Sequence, residues 1–476
     1  MRISPQQGTY TAGYLLVLVL VFGSVFLMIF SAFIGYVITQ SQVVNFRFEQ
    51  QQAGDIAEAG LNYYKWYLAH YPDDFTNGTA SPGPYVHPYR DPEGGVIGEY
   101  QLSIATSSYC GVVSSIEVTS RGITYENPDA EAIVSAQYTQ PTVAEYSFIT
   151  NSGVWYGSGG VIVGPLHSNQ GIRMDAAHNS TIGSGVADWE CDSSYGCSPE
   201  QIVPGVYTTS GNATPGLFQY PISPVDFAGI TLDLATMKDR AENGGGIYFG
   251  PTSEWGYLVT FNGNGTVDVR EVTSTYQYWS YNSTNNWHTS ERNVIASASL
   301  VPGGNNIPID AGCPLLYFED KVWIEGEVDQ KVTLAAADLN SGGQTNIVIN
   351  DDITYVPGTN AGLLAIAEDD VDINLVIPDE QDLDMHGIFI AQNGRFGRDG
   401  YRTSYLPSWL DPYVYLGDLN RLGTIVSRER AVTNWIGWSG FTGGSSSFDR
   451  DQINDPPPLT PNTTDVYQFE DWRQEG

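Results

Sequence analysis

The stretch GYLLVLVLVFGSVFLMIFSAFIGYVIT, Gly13 to Thr39, decides how this chain is organised. It is almost wholly apolar, and no charged residue occurs from Ile3 to Phe46. As a helix rising about 1.5 Å per residue it is roughly 40 Å long, more than the roughly 30 Å of a bilayer's hydrocarbon layer. A discarded secretion signal has a shorter apolar core with a small-residue cleavage site beyond it. Here the apolar run passes straight into FEQQQAGDIAEAGLNYYKWYL, Phe48 to Leu68. At helical spacing Ala53, Ile56, Ala57, Gly60, Leu61 and Tyr64 share one face of that extension, and Pro72 ends it. Arg2 and the α-amino group are the positive charges ahead of the span, which predicts a cytoplasmic N-terminus and an exterior remainder.

Beyond the helix the composition turns to strands. With 52 Gly, 26 Pro and 30 Tyr against 16% charged residues, the chain is rich in turns and poor in helix formers. The 476 residues are ample for several folded units and a large core. A net charge of −34, with 54 acidic residues against 20 basic, would repel phosphate backbones, so nucleic acid is excluded as a partner. The cysteines Cys110, Cys191, Cys197 and Cys313 have no zinc or iron–sulfur spacing and read as disulfide candidates. A local Cys191 to Cys197 bridge would leave Cys110 for Cys313, although sequence alone leaves the connectivity open.

Residues 97–145 alternate apolar and polar positions, as in Tyr100, Leu102 and Ile104, and predict a small sheet. From about Phe148 the texture changes to short apolar triplets between Gly and Asn turns, such as Val161 to Val163 and Ile172 to Met174. After a long interruption it resumes in Val322 to Ile324, Val332 to Leu334, Ile347 to Ile349, Leu364 to Ile366 and Ile388 to Ile390. These triplets predict a right-handed parallel β-helix, a solenoid with coils over 146–186 and 313–430, a β-sandwich being the alternative. An α+β subdomain would be inserted over 187–312, with a helix over Thr231 to Glu242 and a hairpin about the NGNG turn. Residues 431–476 would form a C-terminal extension on the solenoid. The predicted class is therefore mainly β with a long N-terminal helix over 9–72.

A short polar leader, a Gly, an apolar helix and an AEAG-type extension together resemble the prepilin signal sequences of type IV pilins. The resemblance implies a leader over 1–8, cut by a prepilin peptidase between Gly8 and Thr9, with methylation of the new N-terminus. The fifth residue of the mature chain would be Gly13, where major pilins carry a Glu that meets the preceding subunit's amine. Its absence resembles minor pilins at a fibre tip. The order GPLHSN (164–169), SPVDF (223–227), GIYF (246–249), VWIEG (322–326) and DPPPLTP (455–461) resembles PilX-type pilus assembly proteins and bactofilin-like solenoids. It implies pilin-like subunits and the assembly machinery as partners.

Three side-chain groups are candidates for chemistry. The rungs FEDKV, INDDI and AEDDV place Asp320, Asp351 and Asp369 so that adjacent rungs would stack them about 4.8 Å apart. Such a ladder repels itself unless it is solvated, protonated or bridged by a cation, and calcium is the candidate ion. His167 in GPLHSN has no third partner for nucleophilic catalysis and reads as a turn residue. The aromatics Tyr276, Tyr278, Trp279, Tyr281 and Trp287 form a candidate patch for surface glycans, or else insertion core. The functional expectation is a non-enzymatic minor pilin or pilus-tip protein, requiring no active site and with calcium as the one candidate cofactor, that initiates assembly or adheres at the surface. A membrane-anchored polysaccharide-binding or polysaccharide-cleaving protein is the alternative.

Overall fold

The computed structural model describes residues 11–475 apart from 73, 80, 92–93, 231–232, 283–285, 341–344, 379–380 and 465. Gly8 and Thr9 lie outside the described residues. The chain is mainly β with one long N-terminal helix, the predicted class, and divides into two compact units.

The first unit holds residues 1–105, 117–138 and 471–476. Its helix Thr11–His70 is unbroken, and from Tyr14 to Phe48 its side chains are exposed on every side. This stretch is apolar and long enough to cross a membrane. The amphipathic half behaves differently. Ala53, Ile56, Ala57, Leu61, Tyr64 and Leu68 are buried, on the face that helical spacing predicts. They pack on a sheet in which Tyr85–Arg90, Val96–Tyr109, Val112–Thr124, Glu131–Thr139 and Gln468–Glu475 lie in that order. Small residues set how closely helix and sheet approach. A Cβ on Gly122 would lie 2.1 Å from the carbonyl oxygen of Ala53, and one on Gly60 would lie 2.2 Å from Ser120 Oγ. The Tyr138 hydroxyl donates to the Leu61 carbonyl oxygen, and Asn127 Nδ2 donates to Glu49 Oε2 at 2.7 Å.

The second unit holds residues 106–116 and 139–470. It is built from parallel ladders. The longest runs through Ile247–Phe249, Leu315–Phe318, Lys331–Ala336, Gly362–Ala367, Leu383–Ala391 and Tyr415–Ser427. It then continues through Phe148–Thr150, Leu166–Ser168, Ile182–Ser184 and Phe218–Gln219. Spatial order and chain order thus differ. The chain enters in the middle of the ladder at Phe148, proceeds to one end at Phe218, begins again at the other end at Ile247, and returns to pair Ile425 with Phe148.

A second ladder joins Tyr257–Asn262, Val322–Val328, Ile347–Tyr355, Val371–Ile373 and Phe396–Gly397. A third continues the early parts of Leu383–Ala391 and Tyr415–Ser427 into Ser439–Ser447, Gly160–Val163 and Ala177–His178.

Registers that line up like residues explain the core. The column Leu316, Leu334, Ala365, Phe389, Ile425, Phe148, Leu166 and Ile182 is buried in one apolar cluster. Each large member contributes roughly 1.5–3 kcal/mol by leaving water. The opposite column, including Tyr317, Ala335, Ile366, Ile390, Val426 and Ile149, is buried in a second cluster by Leu234, Met237 and Ala241. Those three come from the helix Leu234–Asn243, which Asp233 caps. The cap predicted at Thr231 lies outside the described residues. The hairpin about the NGNG turn forms, pairing Phe261 with Val267, and Gly263 and Gly265 adopt positive φ there.

Two disulfides close the unit. Cys110 pairs with Cys313 across 203 residues, and Cys191 pairs with Cys197.

Candidate functional site

The acidic turns do not stack as the sequence suggests. Val322, Ile347 and Val371 are level on neighbouring strands, so Thr345 stands between Asp320 and Asp369. The two carboxylates are two strands apart, which is about 9.6 Å of backbone spacing. Asp351 is not in that column. The register passes from Ile324 and Ile349 to Gly326 and Ile353, leaving Asn350, Asp351 and Asp352 against the single residue Glu325. INDDI is a bulge within a strand, not the turn before one. Asp320 accepts from the backbone N–H groups of Thr252 and Lys321, and burial raises its pKa. Burial also raises that of Asp369. Among the described residues no three His, Cys, Asp or Glu side chains are grouped to hold a metal ion.

Carboxylates do converge one position further on. Asp370, Asp372 and Asp399 surround Arg395, whose guanidinium reaches Asp399 at 2.5 Å and Asp372 at 3.4 Å. Asp399 also accepts from Ser280 Oγ at 2.6 Å. Burial pushes Asp370 from 3.8 up to about 7, with the Asp372 charge adding to the effect. The group knits the insertion to the ladders.

His167 lies on the strand Leu166–Ser168 and not at a turn. It is buried, its Nε2 is 2.8 Å from Asn169 Oδ1, and burial lowers its pKa. Asn169 in turn binds the backbone N–H and C=O of Val225, so GPLHSN and SPVDF clasp each other. This is a structural use of both motifs.

The predicted aromatic patch divides in two. Tyr278 is buried with Tyr401, Leu410 and Val414, and Tyr276 stacks edge-on against Trp409. Tyr281 and Trp287 instead meet Trp435 and Trp438, with ring centroids 5.1 to 5.8 Å apart. The guanidinium of Arg402 sits 5.3 Å from the Trp287 ring and 5.2 Å from the Trp438 ring.

These rings wall a cleft of about 730 Å³, a size usual for small-molecule sites. Residues of the paired strands Tyr415–Ser427 and Phe148–Thr150 line it, and its other walls include Tyr156 and Arg430. Among the described residues three arginines and no carboxylate line it, although the chain as a whole carries −34. Arg430 is committed, donating to Ser194 Oγ and to the Ser194 carbonyl and lying over Tyr195. Arg421 is not. Its Nε is sealed from solvent with no hydrogen-bond partner, as is the Tyr156 hydroxyl, and burial lowers the guanidinium pKa.

No protein-family model matches the chain, and no curated protein matches it. Among solved structures, the competence-associated pilin ComZ from Thermus thermophilus aligns over 90% of this chain and 97% of its own, at 13% identity and a TM-score of 0.29.

Sequence reasoning found the Tyr281 and Trp287 wall and missed the rest. Trp435 and Trp438 in NWIGWSG were a visible signal, an aromatic pair amid turn residues. Arg402, Arg421 and Arg430 carry no local pattern: Arg421 lies on the strand Tyr415–Ser427 and the other two in the connections on either side of it.

Proposed function

We propose that this protein is a non-enzymatic minor pilin or pilus-tip protein that presents its β-rich region at the cell surface, for assembly initiation or adhesion. What supports the reading is the N-terminal helix, which changes character along its length. A first half with apolar side chains exposed on every side needs a partner, lipid or neighbouring helices. A second half already packed on its own sheet does not. In this reading the helix lies first in the membrane, with its N-terminus cytoplasmic, and then among other pilin-like helices. The parallel ladders wind as coils of a displayed solenoid. Gly13, in place of an acidic residue, removes the charge that would bind a subunit below and suits a first position in the fibre.

Mass spectrometry of the mature N-terminus tests this. Cleavage after Gly8 with methylated Thr9 is expected, and an intact Met1 in membranes that assemble pili would sink the proposal.

A further inference from the structure

The cleft beside Trp438 has features that packing alone does not account for. Arg421 lies on the strand Tyr415–Ser427, in register between Met385 and Ser446, and Ser446 pairs with Ile162. Met385 and Ile162 are buried in the apolar cluster of the ladders. A guanidinium in this column is expensive unless something pairs with it. Arg421 is only partly exposed, and its Nε is sealed from solvent with no hydrogen-bond partner among the described residues. This leaves the guanidinium available to a ligand in the cleft.

The walls suit a particular kind of partner. Flat indole faces at Trp287 and Trp438 suit the apolar faces of pyranose rings, while a guanidinium fork suits a carboxylate. The strongly negative chain disfavours ligands dense in charge, such as dianionic phosphates, more than a ring bearing a single carboxylate. Gly157, Gly159 and Gly160, which carry no side chains, also line the cleft and leave room for a bulky ring. A cleft of about 730 Å³ holds a short chain of such rings.

We propose that this cleft binds a short acidic oligosaccharide, a uronate-type chain whose sugar faces rest on Trp287 and Trp438 and whose carboxylate is taken by Arg421. Arg402, already placed over both indoles, flanks the site as a second cation. This gives the surface-display reading a ligand class and rests on it for the biological setting. The binding chemistry is measured separately, so either can fail without the other.

The test is calorimetric titration of the full chain in detergent with trigalacturonate, and with the neutral galactotriose for comparison. Trigalacturonate should bind with a dissociation constant of about 1 mM or tighter and quench tryptophan fluorescence, while galactotriose binds at least about tenfold more weakly. Arg421→Met and Trp438→Ala should each abolish the signal. Arg402→Gln, at an exposed position where misfolding is not at issue, should weaken binding about tenfold. Equal affinity for both sugars, tighter binding of a nucleoside monophosphate, or no heat with trigalacturonate up to about 10 mM overturns the proposal.

Discussion

Arg421 pairs in register with Met385, so that neighbouring strands of one ladder place a guanidinium level with a buried thioether. Replacing the guanidinium by the side chain its neighbour uses should relieve a partly buried charge whose Nε has no partner among the described residues. Arg421→Met is expected to raise the unfolding free energy by about 1–3 kcal/mol in the absence of ligand. Denaturant unfolding of the full chain measures it. A loss of stability would mean that the guanidinium is compensated within the fold, and would count against a ligand role.

Asp370 sets a pH dependence whose sign follows from its environment. Its carboxyl accepts from the Arg395 backbone N–H at 2.7 Å, and burial raises its pKa from 3.8 to about 7. The folded state therefore holds this proton more tightly than the unfolded chain does. Its contribution is fully present below the unfolded value, about pH 4, and is lost as pH rises toward 7. Asp370→Asn keeps an acceptor for that N–H without the charge. The variant should melt higher than wild type at pH 8, by roughly 1–2 kcal/mol in stability, and show no advantage at pH 4. A pH-independent difference would show that charge is not the cause.

The disulfides should differ in weight. Cys110 and Cys313 close a span of 203 residues, Cys191 and Cys197 one of 6. The chain-entropy account gives about 5 kcal/mol for the first and about 2 kcal/mol for the second. The double variant Cys110→Ala with Cys313→Ala should therefore lower Tm more than Cys191→Ala with Cys197→Ala. The reverse order in calorimetry would refute the ranking.

How far such features could be read in advance depends on whether they are local. The helix face at Ala53, Ile56, Ala57 and Leu61 follows from spacing within one element, and the NGNG hairpin from the glycines at its own turn. The apolar triplets marked strands for the same reason. Pairing between strands is another matter. Nothing near Phe148 says that its neighbour is Ile425, because that register is fixed by the return of the chain after the far end of the ladder is built. The same non-locality governs Asp351, since nothing within INDDI shows that its strand bulges against Glu325. It also concealed the cleft, whose arginines lie within 402–430 but whose opposite wall, from Phe148 to Ile162, comes from a distant part of the chain.

Glycines in the first unit offer a paired test of how the amphipathic half of the helix is seated. At Gly122 a Cβ would fall 2.1 Å from the Ala53 carbonyl oxygen and 2.6 Å from the Ala57 nitrogen, both rigid backbone atoms. Gly122→Ala must push helix from sheet, and a loss of about 2 kcal/mol or more is expected. At Gly54, within the helix, a Cβ meets nothing within 4 Å. There Gly54→Ala replaces a poor helix former with the best one and should gain about 0.5–1 kcal/mol. Amide exchange over residues 53–64 reads both effects, faster in the first variant and slower in the second. If Gly122→Ala left exchange unchanged, the helix would not be clamped on the sheet through these small residues, and the contrast between its two halves would lose its structural basis.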